Sequence, residues 1–297
     1  MQKIRILTDS ASDIPQDVAS ALGIRVLPIP IAHEGKSYSE RVEMTDDQFY
    51  ELLLGSKSVP TTSHITADTY LREYRRALEE GCTALLNVTI NSLGSNMFEA
   101  AQLAKNMLRE ELGERADAMR IEVVDSRTYT IAYGVAVIRA AEMASRGEEL
   151  DGILATLHDW FDRLEILFSV YSLDFVKKSG RVSCAAAFVG ELLGLRPTIL
   201  FADGVATVVD KIRGDRNVVP RLAGLARRRC EEPEGRRYPL LIVRGTPKAE
   251  GRQLFEAVAQ NFGRSPDGIY SVGASIAINS GPKVVAVIYA GKKRVHS

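Results

Sequence analysis

Short apolar runs rich in β-branched residues alternate with amphipathic stretches through the first half of the chain, and this alternation limits the fold more than any other feature. Strand, helix, strand in repetition is the pattern of a parallel sheet covered by helices. Ile4 to Thr8 reads as the first strand. The turn Asp9-Ser10-Ala11-Ser12-Asp13 follows, with Pro15 where a helix can begin and Gly23 where it can end. Ile24 to Ile31 reads as a strand, and because Pro28 and Pro30 cannot donate ladder hydrogen bonds it belongs at a sheet edge. Thr45-Asp46-Asp47-Gln48 is a capping box opening a helix that stops near Gly55, and Thr66 caps a longer one reaching Gly81. Thr83 to Thr89 and Ile121 to Asp125 are two further strands, each running into hydroxyl-bearing residues. That edge is where open α/β sheets place ligands.

Leu150 to Arg163 is helical by spacing, and after it the texture changes. Ile166 to Ser172 and Thr198 to Ile212 are strand-like, the second split by Asp203-Gly204, a hairpin signal. Helical stretches from Asn217 to Arg229 and Lys248 to Asn261 alternate with strands at Leu240 to Val243, Ile269 to Ile278 and Lys283 to Tyr289. The expectation is an N-terminal α/β domain over 1–160 and a C-terminal α/β domain over 161–297. The first has a mostly parallel, Rossmann-like sheet with helices on both faces, the second a mixed sheet with helices.

A chain of 297 residues with 45% hydrophobic content suits two packed domains. Lys plus Arg and Asp plus Glu both number 38, so no global field steers the protein toward nucleic acid or an anionic surface. Cys82, Cys184 and Cys230 are odd in number and far apart, which argues against a disulfide framework or a thiolate metal site and for a reducing compartment. Met1 to Leu7 carries Lys3 and Arg5 but no apolar h-region, so no signal peptide is expected. Apolar runs such as Ala132 to Ala144 are broken by charge before the roughly 20 residues that a span needs. A cytoplasmic protein without a membrane span is the expectation.

Several chemistries lack their motifs. There is no G-x-x-x-x-G-K-[ST] to cradle nucleotide phosphates, and no G-x-G-x-x-G follows the first strand. The histidines His33, His64, His158 and His296 show no H-E-x-x-H spacing, and no metal or organic cofactor is expected. Gly273-Ala274-Ser275-Ile276-Ala277 partly matches a nucleophile elbow but ends in Ala, and Ser275 reads as a strand residue. Hydroxyl and amide groups remain, clustered at element ends: Asp9, Ser10 and Ser12; Thr61, Thr62 and Ser63; Asn91, Ser92, Ser95 and Asn96; Asn279 and Ser280. Singly, such residues cap helices and make side-chain turns. Converging, neutral donors with backbone N–H groups can hold a carboxylate or phosphate without a lysine.

Four segments together resemble one family. Ile4-Arg5-Ile6-Leu7-Thr8-Asp9-Ser10-Ala11-Ser12-Asp13 is similar to the T-D-S-[TS]-[AS]-D opening of DegV-family proteins. Pro60-Thr61-Thr62-Ser63 matches that family's P-T-T-S loop, Val124-Asp125-Ser126 its V-x-D-S strand end, and Gly180-Arg181-Val182-Ser183 its G-R-[IV]-S turn. The resemblance implies two α/β domains with a ligand tunnel at their interface holding one long-chain fatty acid. It further implies a non-catalytic, bacterial binding subunit that presents the acyl carboxylate to a separate ATP-dependent fatty acid kinase subunit. Carried over residue by residue, Thr62, Ser63, Ser95 and Asn279 bind the carboxylate, Asp9 and Ser10 support them, and Arg181 lies at the kinase-docking surface. A monomer is expected. Two positions depart from the family pattern: Leu93-Gly94-Ser95-Asn96 stands where L-S-G-T is common, and Asn279 stands where a histidine often precedes G-P-G. Asn279 can donate a hydrogen bond but cannot become cationic.

The competing reading is an enzyme acting on a small acyl or phosphorylated metabolite, with Asp9 or Asp125 as general base. A regulatory or structural protein without ligand is a third. Nucleic-acid binding is the weakest, since no basic face with interleaved aromatics can be traced.

Overall fold

β-branched strands and capped helices segregate into two units in the structure, a computed structural model that describes residues 2–56, 58–180 and 194–295. The first unit gathers the residues up to Glu43 and Thr62–Asp159; the second gathers Met44–Thr61 and the residues from Trp160 onward.

The first unit is built on β1 (Ile4–Asp9), α1 (Gln16–Ala21), β2 (Arg25–Leu27), β3 (Pro30–His33), β4 (Lys36–Ser39), α3 (Ala67–Glu79), β6 (Ala84–Thr89), α4 (Met97–Leu112), β7 (Arg120–Asp125), α5 (Ile131–Ser145) and most of α6 (Leu150–Phe161). Its main sheet is parallel throughout, in the order β2-β1-β6-β7. Thr8 lies opposite Val88, and Thr89 opposite Asp125, so the carboxyl ends of β1, β6 and β7 are level. The crossover through α1 runs one way from β1 and that through α4 runs the other way from β6. Right-handed crossovers in opposite directions put the two helices on opposite faces.

The expected strand from Ile24 to Ile31 is two strands. Arg25–Leu27, which holds no proline, takes the edge of the parallel sheet, and the chain leaves that sheet at Pro28. Pro30 is the first residue of a separate strand that lies between two others, where a proline is tolerated and no edge is needed. Pro30–His33 instead pairs antiparallel with β4, Ile31 opposite Tyr38, and β5 (Thr61–Thr62) adds to it, Ser63 donating its backbone N–H to the Pro30 carbonyl at 3.0 Å.

The second unit contains α2 (Asp46–Gly55), β8 (Leu164–Val170), α7 (Asp174–Ser179), β9 (Leu195–Ala202), β10 (Val205–Arg213), α8 (Val218–Arg229), β11 (Leu241–Arg244), α9 (Lys248–Phe262), β12 (Gly268–Ser271), α10 (Ala274–Ser280) and β13 (Val284–Ala290). The sheet order is β10-β9-β8-β13-β11-β12, antiparallel except for the β11–β12 pair. α8 and α9 bury Leu222, Ala226, Leu254, Val258 and Phe262 against Ile242, Val285 and Val287. The β9–β10 hairpin turns on Asp203 and Gly204 with φ of 49° and 78°, the two positive values that a type I′ turn demands.

The capping box of α2 is complete: Gln48 N–H donates to Thr45 Oγ1 at 3.3 Å, and Thr45 N–H to Gln48 Oε1 at 2.9 Å. The expected strand from Ile269 to Ile278 stops at Ser271, and Ser275, Ile278 and Asn279 are helical, in α10. A short apolar run does not distinguish strand from helix by periodicity. Gly273 supplies the extended residue from which that helix starts.

Candidate functional site

The strand order of the parallel sheet reverses between β1, which leads to β2 on one side, and β6, which lies on the other. The crevice outside the carboxyl ends at such a reversal is where open α/β sheets bind ligands. Asp9 ends β1 there. It is fully buried; its Oδ1 accepts from the Ala11 N–H at 3.1 Å and the Tyr133 hydroxyl at 2.6 Å, and its Oδ2 from the Ile90 N–H at 3.0 Å. Burial pushes its pKa up to about 6, against the pull of those three donors, with the Glu40 charge adding to the rise. Burial and the Asp9 charge also raise the Tyr133 phenol well above its ordinary value, so it remains a donor.

Ser10 is equally committed. Its hydroxyl donates to Glu40 Oε2 at 2.5 Å and accepts from the Ile29 N–H at 2.9 Å. Asp13 closes the motif: Thr130 Oγ1 donates to it at 2.5 Å, and the Arg41 guanidinium lies 3.2 Å from its other oxygen. The T-D-S-A-S-D segment is therefore an internal strut that ties the ends of β1 and β6 to the loop before α5.

Asp125 ends β7 and makes the neighbouring turn. Its Oδ1 accepts from the N–H groups of Ser92 and Arg127 at 3.1 and 2.9 Å, and its Oδ2 from the Ser92 hydroxyl at 2.5 Å. Both carboxylates considered as general bases thus hold one backbone amide of the turn after their own strand and one of the segment after β6, and Asp9 has no surface for a substrate to reach. In the turn itself the Gly94 N–H donates to the Asn91 carbonyl, and Asn91 Nδ2 donates to Tyr129 Oη at 3.2 Å. A Cβ added to Gly94 would lie 2.1 Å from that same Tyr129 oxygen. Ser95 follows in extended backbone, half-buried.

Of the other expected ligand residues, Thr62 is half-buried and Ser63 exposed, at the end of β5 in the first unit. Asn279 sits in the last turn of α10 in the second unit, where its Nδ2 donates to the Ser275 carbonyl at 2.7 Å, leaving Oδ1 and one amide hydrogen for other partners. Arg181 lies outside the described residues. Ser95, Asp9 and Ser10 thus share one sheet edge, at which the structure adds residues that sequence reasoning passed over: Tyr133, Thr130, Tyr129, Glu40 and Arg41. The one legible trace was Gly94 at a position where the family pattern has serine. Among the described residues no group of three or more His, Cys, Asp or Glu is arranged to hold a metal ion.

A parallel sheet with a hydroxyl-lined switch point, and a second unit on a mixed sheet, define the class as a two-unit α/β protein. The chain belongs to the DegV family: the family model described as "Uncharacterised protein, DegV family" matches residues 3–292. A DegV domain-containing protein of Caldanaerobacter subterraneus subsp. tengcongensis is 32% identical over 219 residues, which are 74% of this chain and 75% of that protein. Two solved structures share the fold over nearly their full length. One is a DegV family protein from Thermus thermophilus described as binding fatty acid, with a TM-score of 0.86 at 28% identity, covering 98% of this chain and 100% of that one. The other is a fatty acid binding DegV family protein from Streptococcus agalactiae, with a TM-score of 0.85 at 26% identity, covering 99% and 100%.

Proposed function

We propose that this chain binds one long-chain fatty acid and holds its carboxylate for phosphorylation by a separate ATP-dependent kinase subunit in the cytoplasm, without catalysing a reaction itself. The observation that carries the reading is the full-length likeness, at a TM-score of 0.86, to a DegV protein that binds fatty acid. The absence of a phosphate-cradling sequence motif is in keeping with a partner that brings the nucleotide.

The energetics ask little of the polar residues. Each buried methylene contributes about 0.8 kcal/mol, so a long acyl chain supplies roughly 10 kcal/mol before ordering costs, and the head-group contacts need only fix orientation. Thr62, Ser63, Ser95 and Asn279 are the proposed carboxylate donors. Asp9 and Ser10 serve as the strut behind the 91–95 turn, and Arg181 as the contact to the kinase. The metabolite-enzyme reading has less support, since its two proposed bases are spent on backbone amides.

Native mass spectrometry of the purified protein, followed by solvent extraction, tests the reading. One fatty acid of defined length per chain is expected. A protein that carries none and takes up none of an added series from lauric to stearic acid overturns it. For the second half of the reading, ATP alone should leave the bound acid unchanged, and acyl phosphate should form only when the kinase subunit is added.

A further inference from the structure

Gly94 does not occupy the left-handed backbone region, so the turn does not require a glycine there for conformational reasons. Space requires it. The Tyr129 hydroxyl lies 2.1 Å from where a Cβ would stand and the ring Cζ 3.2 Å from it, the first far inside any real contact distance. Tyr129 thus fills the volume that a side chain at 94 would use. Its oxygen accepts from Asn91 Nδ2 at 3.2 Å, and a hydroxyl that accepts in this way is polarised into a better donor.

The loop that delivers Tyr129 is held in costly geometry. Arg127 has φ 51°, and Thr130 has φ 56° with ψ −155°, a region that is essentially reserved for glycine and that a β-branched residue avoids. Such backbone persists only where its surroundings over-determine it. Here they do: Ser126 N–H donates to the Thr89 carbonyl at 3.1 Å, Asn91 N–H to the Thr128 carbonyl at 3.1 Å, and the Thr130 hydroxyl to buried Asp13 at 2.5 Å. The strut built by the T-D-S-A-S-D segment therefore ends on the residue next to Tyr129. Tyr129 itself is only half-buried, against Gly94 and Asn91 of a turn that leaves Leu93 75% exposed.

We propose that Tyr129 is the head-group residue of this turn, its phenolic hydroxyl donating to the carboxylate of the bound fatty acid from the place that a side chain at position 94 would occupy. The assignment rests on the fatty-acid reading above and names the donor that this chain uses at the switch point. With glycine at 94 the phenol keeps a place from which a larger residue would push it.

Binding of palmitate and of methyl palmitate, which lacks the charge, separates head-group recognition from general loosening of the site. Tyr129→Phe is expected to weaken palmitate about tenfold, the scale of a hydrogen bond to a charged group, while methyl palmitate binds as before. Gly94→Ser alone should weaken both ligands through the clash with Tyr129. Gly94→Ser combined with Tyr129→Ala should restore the preference for palmitate, because a serine hydroxyl then stands where the phenol stood. A Tyr129→Phe protein that keeps the wild-type ratio of palmitate to methyl palmitate affinity overturns the assignment and leaves fatty-acid binding intact. A wild-type protein that binds neither ligand overturns the fatty-acid reading, and this assignment with it.

Discussion

A carboxylate with no exposed surface and three donors, as at Asp9, fixes strand ends in place at an electrostatic cost. Its pKa in the folded protein is about 6 against 3.8 for a free side chain. As pH rises from near 4 to near 6 the unfolded chain releases this proton before the folded chain does, so folding stability falls across that window and levels off above it. The full effect is about 3 kcal/mol, from 1.36 kcal/mol for each pH unit between the two values. Asp9→Asn removes the titrating group. The difference in unfolding free energy between wild type and variant, measured in urea at pH 4, 5, 6 and 7, should move in the variant's favour by about that amount. A constant difference across the series would mean that Asp9 does not titrate there.

At the scale of elements, α2 shows how a locally specified helix is placed by distant contacts. Its capping box needs only Thr45 and Gln48, whereas its docking in the second unit uses the Tyr50 hydroxyl, which donates to the Val272 carbonyl at 2.9 Å across 222 residues of sequence. Thr45→Ala should cost about 1 kcal/mol, the usual value of an N-cap. Tyr50→Phe should cost about 1–3 kcal/mol, because it leaves a buried carbonyl unsatisfied. Chemical denaturation of both variants checks the values, and a Tyr50→Phe protein as stable as wild type would show that packing alone docks the helix. In the second unit Lys283 similarly ties elements together, lying 4.2 Å from the Tyr171 ring centroid and 3.0 Å from Glu250 Oε1.

For the whole molecule, the even balance of 38 basic and 38 acidic residues leaves recognition to local chemistry, and no described helix is long and apolar enough to cross a membrane. A ligand bound only by the folded state stabilises it by mass action, about 2.7 kcal/mol when free ligand is about 100 times Kd. Delipidated protein should therefore unfold at a lower temperature than protein given palmitate, by an amount that grows with palmitate concentration. A melting temperature indifferent to palmitate would count against the proposed function at this scale.

The sequence alone specified the features that depend on neighbours along the chain. The parallel alternation, the caps at Thr45 and Thr66 and the Asp203-Gly204 hairpin follow from local dihedral preference and from available donors, which few residues decide. The DegV motifs were legible in the same way, as short strings in order. Tertiary structure decided the rest. The run through Ser275 became helix rather than strand, because a brief apolar segment takes the form its packing partners favour. Pro30–His33 left the parallel sheet for a hairpin with β4, closed by Glu34 and Gly35 at φ 48° and 76°; that pairing is local, and only the departure from the first sheet was decided by the fold. At the candidate site, Asp9 and Asp125 looked alike in sequence as acids after strands, and both hold backbone amides, but only the fold encloses Asp9 among Tyr133, Ile90 and Ala11. The place of Tyr129 over Gly94 joins residues 35 positions apart. No local propensity encodes such a contact, since it exists only once β6 and β7 lie side by side and bring their two loops to one edge.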